Sequence, residues 1–238
     1  METPQITSVA DPRLFAHLYQ ETRERIVGLV AGLDDAALST AVAACPGWSV
    51  RDVVAHVAAV AEDSVSGRLA GPPSDEETAA QIARFGGYDL AEILAAWADA
   101  AAALDHMAET AGVKPPLGDI TSHEHDVRAA IGRPGARDSA AVWHSSDQLL
   151  ANLRTPVGLL VTVEDGQYLS GPGDSAEIRL RTTRFEALRW RTGRRSHAQL
   201  AAMDWSGDPT SVLDHLFLFG PAGADVDEES PKPIGGQR

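Results

Sequence analysis

The segment LGDITSHEHDVRAAIG, residues 117–132, constrains the fold more than any other part of the chain. Lys114-Pro115-Pro116 precedes it and Gly132-Arg133-Pro134 follows it, so a helix over 117–131 is bounded at both ends. Its apolar stripe is Ile120, Val127, Ala130 and Ile131, and His123 falls inside that stripe. Asp119 lies one turn before His123 and Asp126 three residues after it, which sets two carboxylates beside an imidazole on the face that should turn inward. A buried carboxylate without a partner is costly, so something must satisfy it. An Asp–His hydrogen bond at one-turn spacing would do so within the helix. A cation liganded by both groups would do so too, and would fix the imidazole tautomer.

A second helix adds the missing donor. Ser49 is a good N-cap with Asp52 three residues on, and Trp48 can staple onto Val53, so a helix starts there and runs to about Leu69. His56 shares a face with Val53 and Val60, from which it could reach Asp119 and His123. Two imidazoles and one carboxylate from facing helices leave coordination positions open, as in a catalytic rather than a structural zinc site. His56, Asp119 and His123 are therefore the candidate metal ligands. His125 points about half a turn away from His123, so it and Glu124 are expected to face solvent or to lie behind the ligands. His17, His106, His144, His197 and His215 have no spaced partner on an apolar face and are given no role.

The remaining pattern is that of an α+β chain. Apolar spacing of three and four predicts helices from Pro12 to Leu33 and from Leu90 to beyond Leu104, with a weaker one before Phe85-Gly86-Gly87. With the two helices above they make a four-helix bundle, and a further helix over 138–153 leads out of it. After Pro156, GLLVTVEDGQYL reads as a hairpin turning at Asp165-Gly166, and AEIRLRT as another strand. Helices follow over Phe185–Trp190, ended by Gly193, and over Pro209–Phe219, capped by Asp208. The expected organisation is a metal-binding bundle with connector over 1–154, a small α/β domain over 155–224, and a disordered polar tail over 225–238.

Composition narrows the partners. A net charge of −14 repels phosphates and argues against nucleic acid. Seven arginines, Arg179, Arg181, Arg184, Arg189, Arg191, Arg194 and Arg195, nevertheless crowd one stretch. They are expected to solvate an outer face, with an anion site as the alternative. Cys45 is the only cysteine, which excludes a disulfide framework and a thiolate zinc cluster. No apolar run approaches the ~18 residues of a membrane span, and METPQITSVADP lacks a basic and apolar leader, so a cytoplasmic protein is expected.

The strings CPGWSVRDVVAHVA and DITSHEHDVRAAIGRP together resemble the mycothiol-dependent maleylpyruvate isomerase family of the DinB-like metalloenzymes. TTRFEALRWRTGRRSHAQLAAMDWSGDP is similar to the small α/β domain that follows the bundle in many members. The resemblance puts the family's metal ligands on His56, Asp119 and His123, with Asp119 standing where the founding isomerases carry glutamate. It implies a divalent metal ion, zinc by expectation, and mycothiol as thiol cosubstrate. The implied activity is S-transfer to, or isomerisation of, an electrophilic small molecule, in a monomer or homodimer without membrane or nucleic-acid partners. Asp126 could orient a ligand from behind, and Arg194 could bind a substrate carboxylate. A non-haem iron enzyme on the same bundle and a non-catalytic binding protein are the alternative readings.

Overall fold

The computed structural model describes residues 11–69 and 71–228 and divides into two compact units, 1–39 with 48–123 and 40–47 with 124–238. The chain is mainly helical with one four-stranded sheet, an α+β architecture.

The first unit is helical. It contains α1 (Pro12–Val30), a single turn α2 (Asp35–Leu38), α3 (Val50–Val65), α4 (Asp75–Arg84), α5 (Leu90–Ala111) and the first half of α6 (Leu117–Ala130). Helix α5 packs against α1 and α3, and α4 packs against α3. The facing stripes are apolar: Phe15, Leu18 and Ile26 on α1, Val53, Val57 and Val60 on α3, and Ile93, Trp97 and Leu104 on α5 are all buried. Each such side chain contributes about 1.5–3 kcal/mol by leaving water. The Trp97 indole N–H donates to the Tyr19 hydroxyl at 2.9 Å, so the polar edge of that ring is satisfied. Helix α3 stops at Val65 rather than near Leu69, because the Arg68 and Leu69 amides turn back to the Asp63 carbonyl.

The second unit holds the rest of α6, then α7 (Ala140–Ala151), β1 (Leu159–Val163), β2 (Gly166–Ser170), β3 (Ile178–Arg181), α8 (Arg184–Arg191), α9 (His197–Ala201), β4 (Asp204–Ser206) and a 3₁₀ turn at Leu213–His215. The sheet order is β2-β1-β3-β4, with β1 antiparallel to β2 and parallel to β3. Leu159, Val161, Ile178 and Leu180 turn inward onto Leu150, Ala187, Trp190 and Leu200, as strict alternation requires. The chain passes from β2 to β3 across the entry to β1, and two glycines allow it. A Cβ on Gly158 would meet the Ser175 carbonyl oxygen at 2.1 Å, and one on Gly171 would meet the Val157 oxygen at 2.2 Å. Gly171 also has a φ of +97°, which side-chain-bearing residues rarely adopt.

Three expectations change. No α-helix forms over Pro209–Phe219, only the 3₁₀ turn at Leu213–His215. Asp208 instead accepts from the Thr210 amide and hydroxyl, the Arg191 guanidinium takes the Leu216 carbonyl at 2.6 Å, and the Leu218 amide goes to the Arg191 carbonyl. The arginine stretch is not a solvated face: Arg179 and Arg181 are exposed on β3, but Arg184, Arg189, Arg191 and Arg195 are buried. Burial pulls the Arg191 guanidinium down to about 10. Finally, residues 225–228 of the expected tail are packed, with Val226 and Glu228 buried, while 229–238 lie outside the described residues. Among the described residues no helix is long and apolar enough to cross a membrane.

Candidate metal centre

Local chemistry fixes the start of α3. The Ser49 amide donates to Asp52 Oδ2 at 2.8 Å and the Asp52 amide donates to Ser49 Oγ at 3.2 Å, a reciprocal capping box. Trp48, just before the cap, turns onto the histidines: its ring centroid lies 5.0 Å from that of His56 and 6.1 Å from that of His123, the latter stacked at 19°. On α6, buried Leu117 and Ile120 set the helix face that carries His123 inward.

The three residues named from the sequence come together in the first unit. His56 Nε2 stands 3.5 Å from Asp119 Oδ1, His123 Nε2 stands 3.6 Å from the same oxygen, and the two imidazole centroids are 4.9 Å apart. Both N···O separations exceed the ~2.9 Å of a good hydrogen bond. They match the edge of a tetrahedron of ligands around a cation with bonds of about 2.1 Å, which is about 3.4 Å. One donor atom from each residue lies within 4.8 Å of the others, so the set fits a single divalent ion. His56 Nδ1 is buried without a hydrogen-bond partner, so contacts with Trp48 and His123, rather than a bond at that atom, hold this ring. The Asp119 side chain is 27% exposed against 3% and 6% for the two histidines, so solvent reaches the group from the aspartate side.

The neighbouring residues of α6, expected to face solvent or to lie behind the ligands, do not face solvent. Glu124 and His125 are buried rather than solvent-facing. Glu124 pairs with Arg128 at 2.9 Å, and the His125 ring meets Phe185 edge-on at 4.8 Å. Burial, reinforced by the Arg189 guanidinium, holds the His125 imidazole well below its usual pKa. Asp126 is gripped by two guanidiniums, Arg189 Nη2 at 2.5 Å and Arg194 Nη2 at 2.9 Å. The anion at Arg194 in this structure is thus the chain's own aspartate. The Cys45 thiol lies 3.4 Å from Asp126 Oδ2 as a donor, and burial together with that carboxylate pushes the thiol up.

Arg189 and Glu228 were not legible as partners. Glu228 pairs with Arg189, and lies 2.9 Å from Arg195, across sequence separations that no local pattern reports. The second unit also has an open cavity of about 550 Å³ lined by Arg137, Trp143, Asp165, Arg184 and Phe185 among others. Its Arg184 guanidinium is already bound to Asp165, Ser146 and Tyr168, and stacks on Trp143 at 4.4 Å.

A helical unit carrying a His/Asp/His donor set that could hold a metal ion, with a small mixed α/β unit beside it in sequence, defines the class of protein. Residues 19–147 match the family model for the mycothiol maleylpyruvate isomerase N-terminal domain, and the chain belongs to that family. Among solved structures, one crystal structure of the mycothiol-dependent maleylpyruvate isomerase is 16% identical, covering 76% of this chain and 88% of that one at a TM-score of 0.49. A histidine-to-alanine variant of that isomerase is 14% identical with the same coverage and TM-score. None of the curated proteins matches this sequence.

Proposed function

We propose that this chain is a metal-dependent enzyme that uses mycothiol as nucleophile, for S-transfer to or isomerisation of an electrophilic small molecule. The observation that carries the reading is the spacing of three donor atoms from His56, Asp119 and His123, with N···O distances of 3.5 and 3.6 Å and solvent access on one side. Membership of the mycothiol maleylpyruvate isomerase N-terminal domain family supports the choice of thiol.

His56 and His123 would supply nitrogen ligands and Asp119 an oxygen, leaving room for an outside ligand on the aspartate side. A divalent ion held there supplies positive charge that lowers a thiol pKa from about 8.5, so that thiolate prevails at neutral pH. Trp48 walls the histidine side with an apolar ring and keeps both imidazoles oriented. The protein's own thiol does not serve, because Cys45 is buried and engaged with Asp126, so the nucleophile comes from a cosubstrate. The thiolate sulfur of that cosubstrate, its proton lost to solvent, forms a bond to an electrophilic alkene carbon while the carbon–carbon π bond breaks and its electron pair moves onto the conjugated acceptor group. In S-transfer the neighbouring carbon takes up a proton and the sulfur stays; in isomerisation the pair returns after rotation about the single bond and expels the thiolate.

Elemental analysis of the purified protein beside His56→Ala and His123→Ala tests the site. The expected result is close to one equivalent of zinc, lost in both variants, followed by mycothiol-dependent turnover in a panel of unsaturated electrophiles. Iron with an oxygen requirement would redirect the chemistry to the non-haem iron reading. Metal binding without turnover would favour a binding protein, and protein that stays empty when zinc is offered would overturn the proposal.

A further inference from the structure

We propose that Arg189 and Arg195 form a carboxylate-binding site in the second unit, which takes a small free carboxylate when Glu228, its intramolecular ligand, is withdrawn. Glu228 Oε2 accepts from Arg189 Nε at 3.1 Å and lies 2.9 Å from Arg195 Nη2, while Oε1 sits against Arg189 Nη2. The Glu228 side chain is 3% exposed and that of Arg189 0%. Two guanidiniums thus converge on one carboxylate out of water, the arrangement that recognises a planar anion.

The charges show why this site favours an anion. Ion pairs join Arg189, Arg194 and Arg195 to Asp126, Glu186 and Glu228. With Glu228 gone, these three guanidiniums share two carboxylates. A guanidinium does not shed its proton, so the buried positive charge favours another anion in the vacated place.

The occupant arrives on a strap that belongs to no helix or strand. Residues 225–228 are held by side chains of the unit: Ser196 Oγ donates to Asp225, and Arg137 donates to the Glu228 carbonyl. The Gln199 side chain accepts from the Val226 amide at 3.1 Å and donates to its carbonyl at 2.9 Å, standing in for a neighbouring strand. A competing carboxylate would have to displace these bonds, the Val226 side chain and the Glu228 ion pairs with Arg189 and Arg195 together, so the site opens only when Glu228 is withdrawn.

The test is thermal unfolding of full-length Glu228→Ala, with sodium acetate titrated against sodium chloride at matched ionic strength. In chloride the variant should melt about 6 °C or more below the parent. Acetate should restore about half of that loss or more along a saturating curve, while the parent shifts equally in both salts. A variant that melts like the parent, or that recovers as well in chloride, overturns the site. Glu228→Gln, which keeps the shape and removes the charge, should melt below the parent without an acetate-specific recovery, because its carboxamide still fills the position, and a Gln variant that melts like the parent overturns the site. Amide exchange in the unaltered chain gives an arm free of substitutions. The Val226 amide should exchange about tenfold or more slowly than an unstructured amide, and exchange at the unstructured rate overturns the strap.

Discussion

In the first unit, Asp119 stands 3.5 and 3.6 Å from two imidazoles, whereas in the second Asp126 is held at 2.5 and 2.9 Å by two guanidiniums. One helix supplies both aspartates, seven residues apart, so their difference comes from the partners and not from the backbone. Asp126 belongs to a group whose charges cancel and whose contacts are closed. Asp119 belongs to a group of one carboxylate and two groups that are neutral when they act as ligands, with separations too long for good hydrogen bonds. A closed cluster stabilises the fold, while an open one has capacity for a positive ion. Distance and charge balance separate the two, and so does burial, the Asp119 side chain being 27% exposed and that of Asp126 0%.

The largest effect that could break this comparison is Arg189→Met. It leaves Asp126 and Glu228 short of a buried partner, and chemical denaturation should report a loss of about 3–5 kcal/mol. A loss below about 1 kcal/mol would mean that this cluster is as open as the other. Next comes the cation itself: zinc at 100 times its dissociation constant should stabilise the parent by about 2.7 kcal/mol and leave His123→Ala unchanged.

Asp63 supplies an intermediate case, a closed cluster in the first unit. Its carboxylate accepts from Gln81, Arg68 and Arg84 at 2.8 Å each. Burial raises its pKa, but these hydrogen bonds outweigh that and leave it below the usual 3.8. The stability it contributes is thus fully present above pH 3.8 and is lost as pH falls through the lower folded value. Asp63→Asn should be less stable than the parent by about 1–3 kcal/mol at neutral pH, and the gap should narrow in acid denaturation curves below that point. The smallest expected effect is the sharpest contrast. Asp119→Asn should change metal-free stability by no more than about 0.5 kcal/mol while lowering zinc affinity, as seen by calorimetry.

The sequence was most readable where function and fold depend on residues close in the chain. The Ser49–Asp52 box, the hairpin, which turns at Glu164-Asp165 one residue before the expected Asp165-Gly166, and the placement of Asp119 and His123 on one face all follow from spacings of four residues or fewer. His56 needed a step across helices, and the apolar stripe of α3 supplied it. The buried arginines were misread because α8 is buried on nearly every side, leaving no polar face to betray an inward guanidinium. Their partners lie 63 and 39 residues away for Arg189, and only the tertiary fold brings them together. The Pro209–Phe219 stretch failed as a helix for a related reason: a distant carbonyl, that of Arg191, took the Leu218 amide, which a helix would have turned back to Asp214.

The crossing of the chain at Gly158 and Gly171 has a consequence for how much variation the second unit tolerates. Two hydrogen atoms are all that separate the loop after β2 from the strand that it passes over. The smallest side chain at either position would wedge β3 away from β1. Helix α8 begins three residues after β3, so such a wedge would reach the arginines that close the buried cluster. A single methyl group at this crossing would thereby unseat a charge network whose members it never touches.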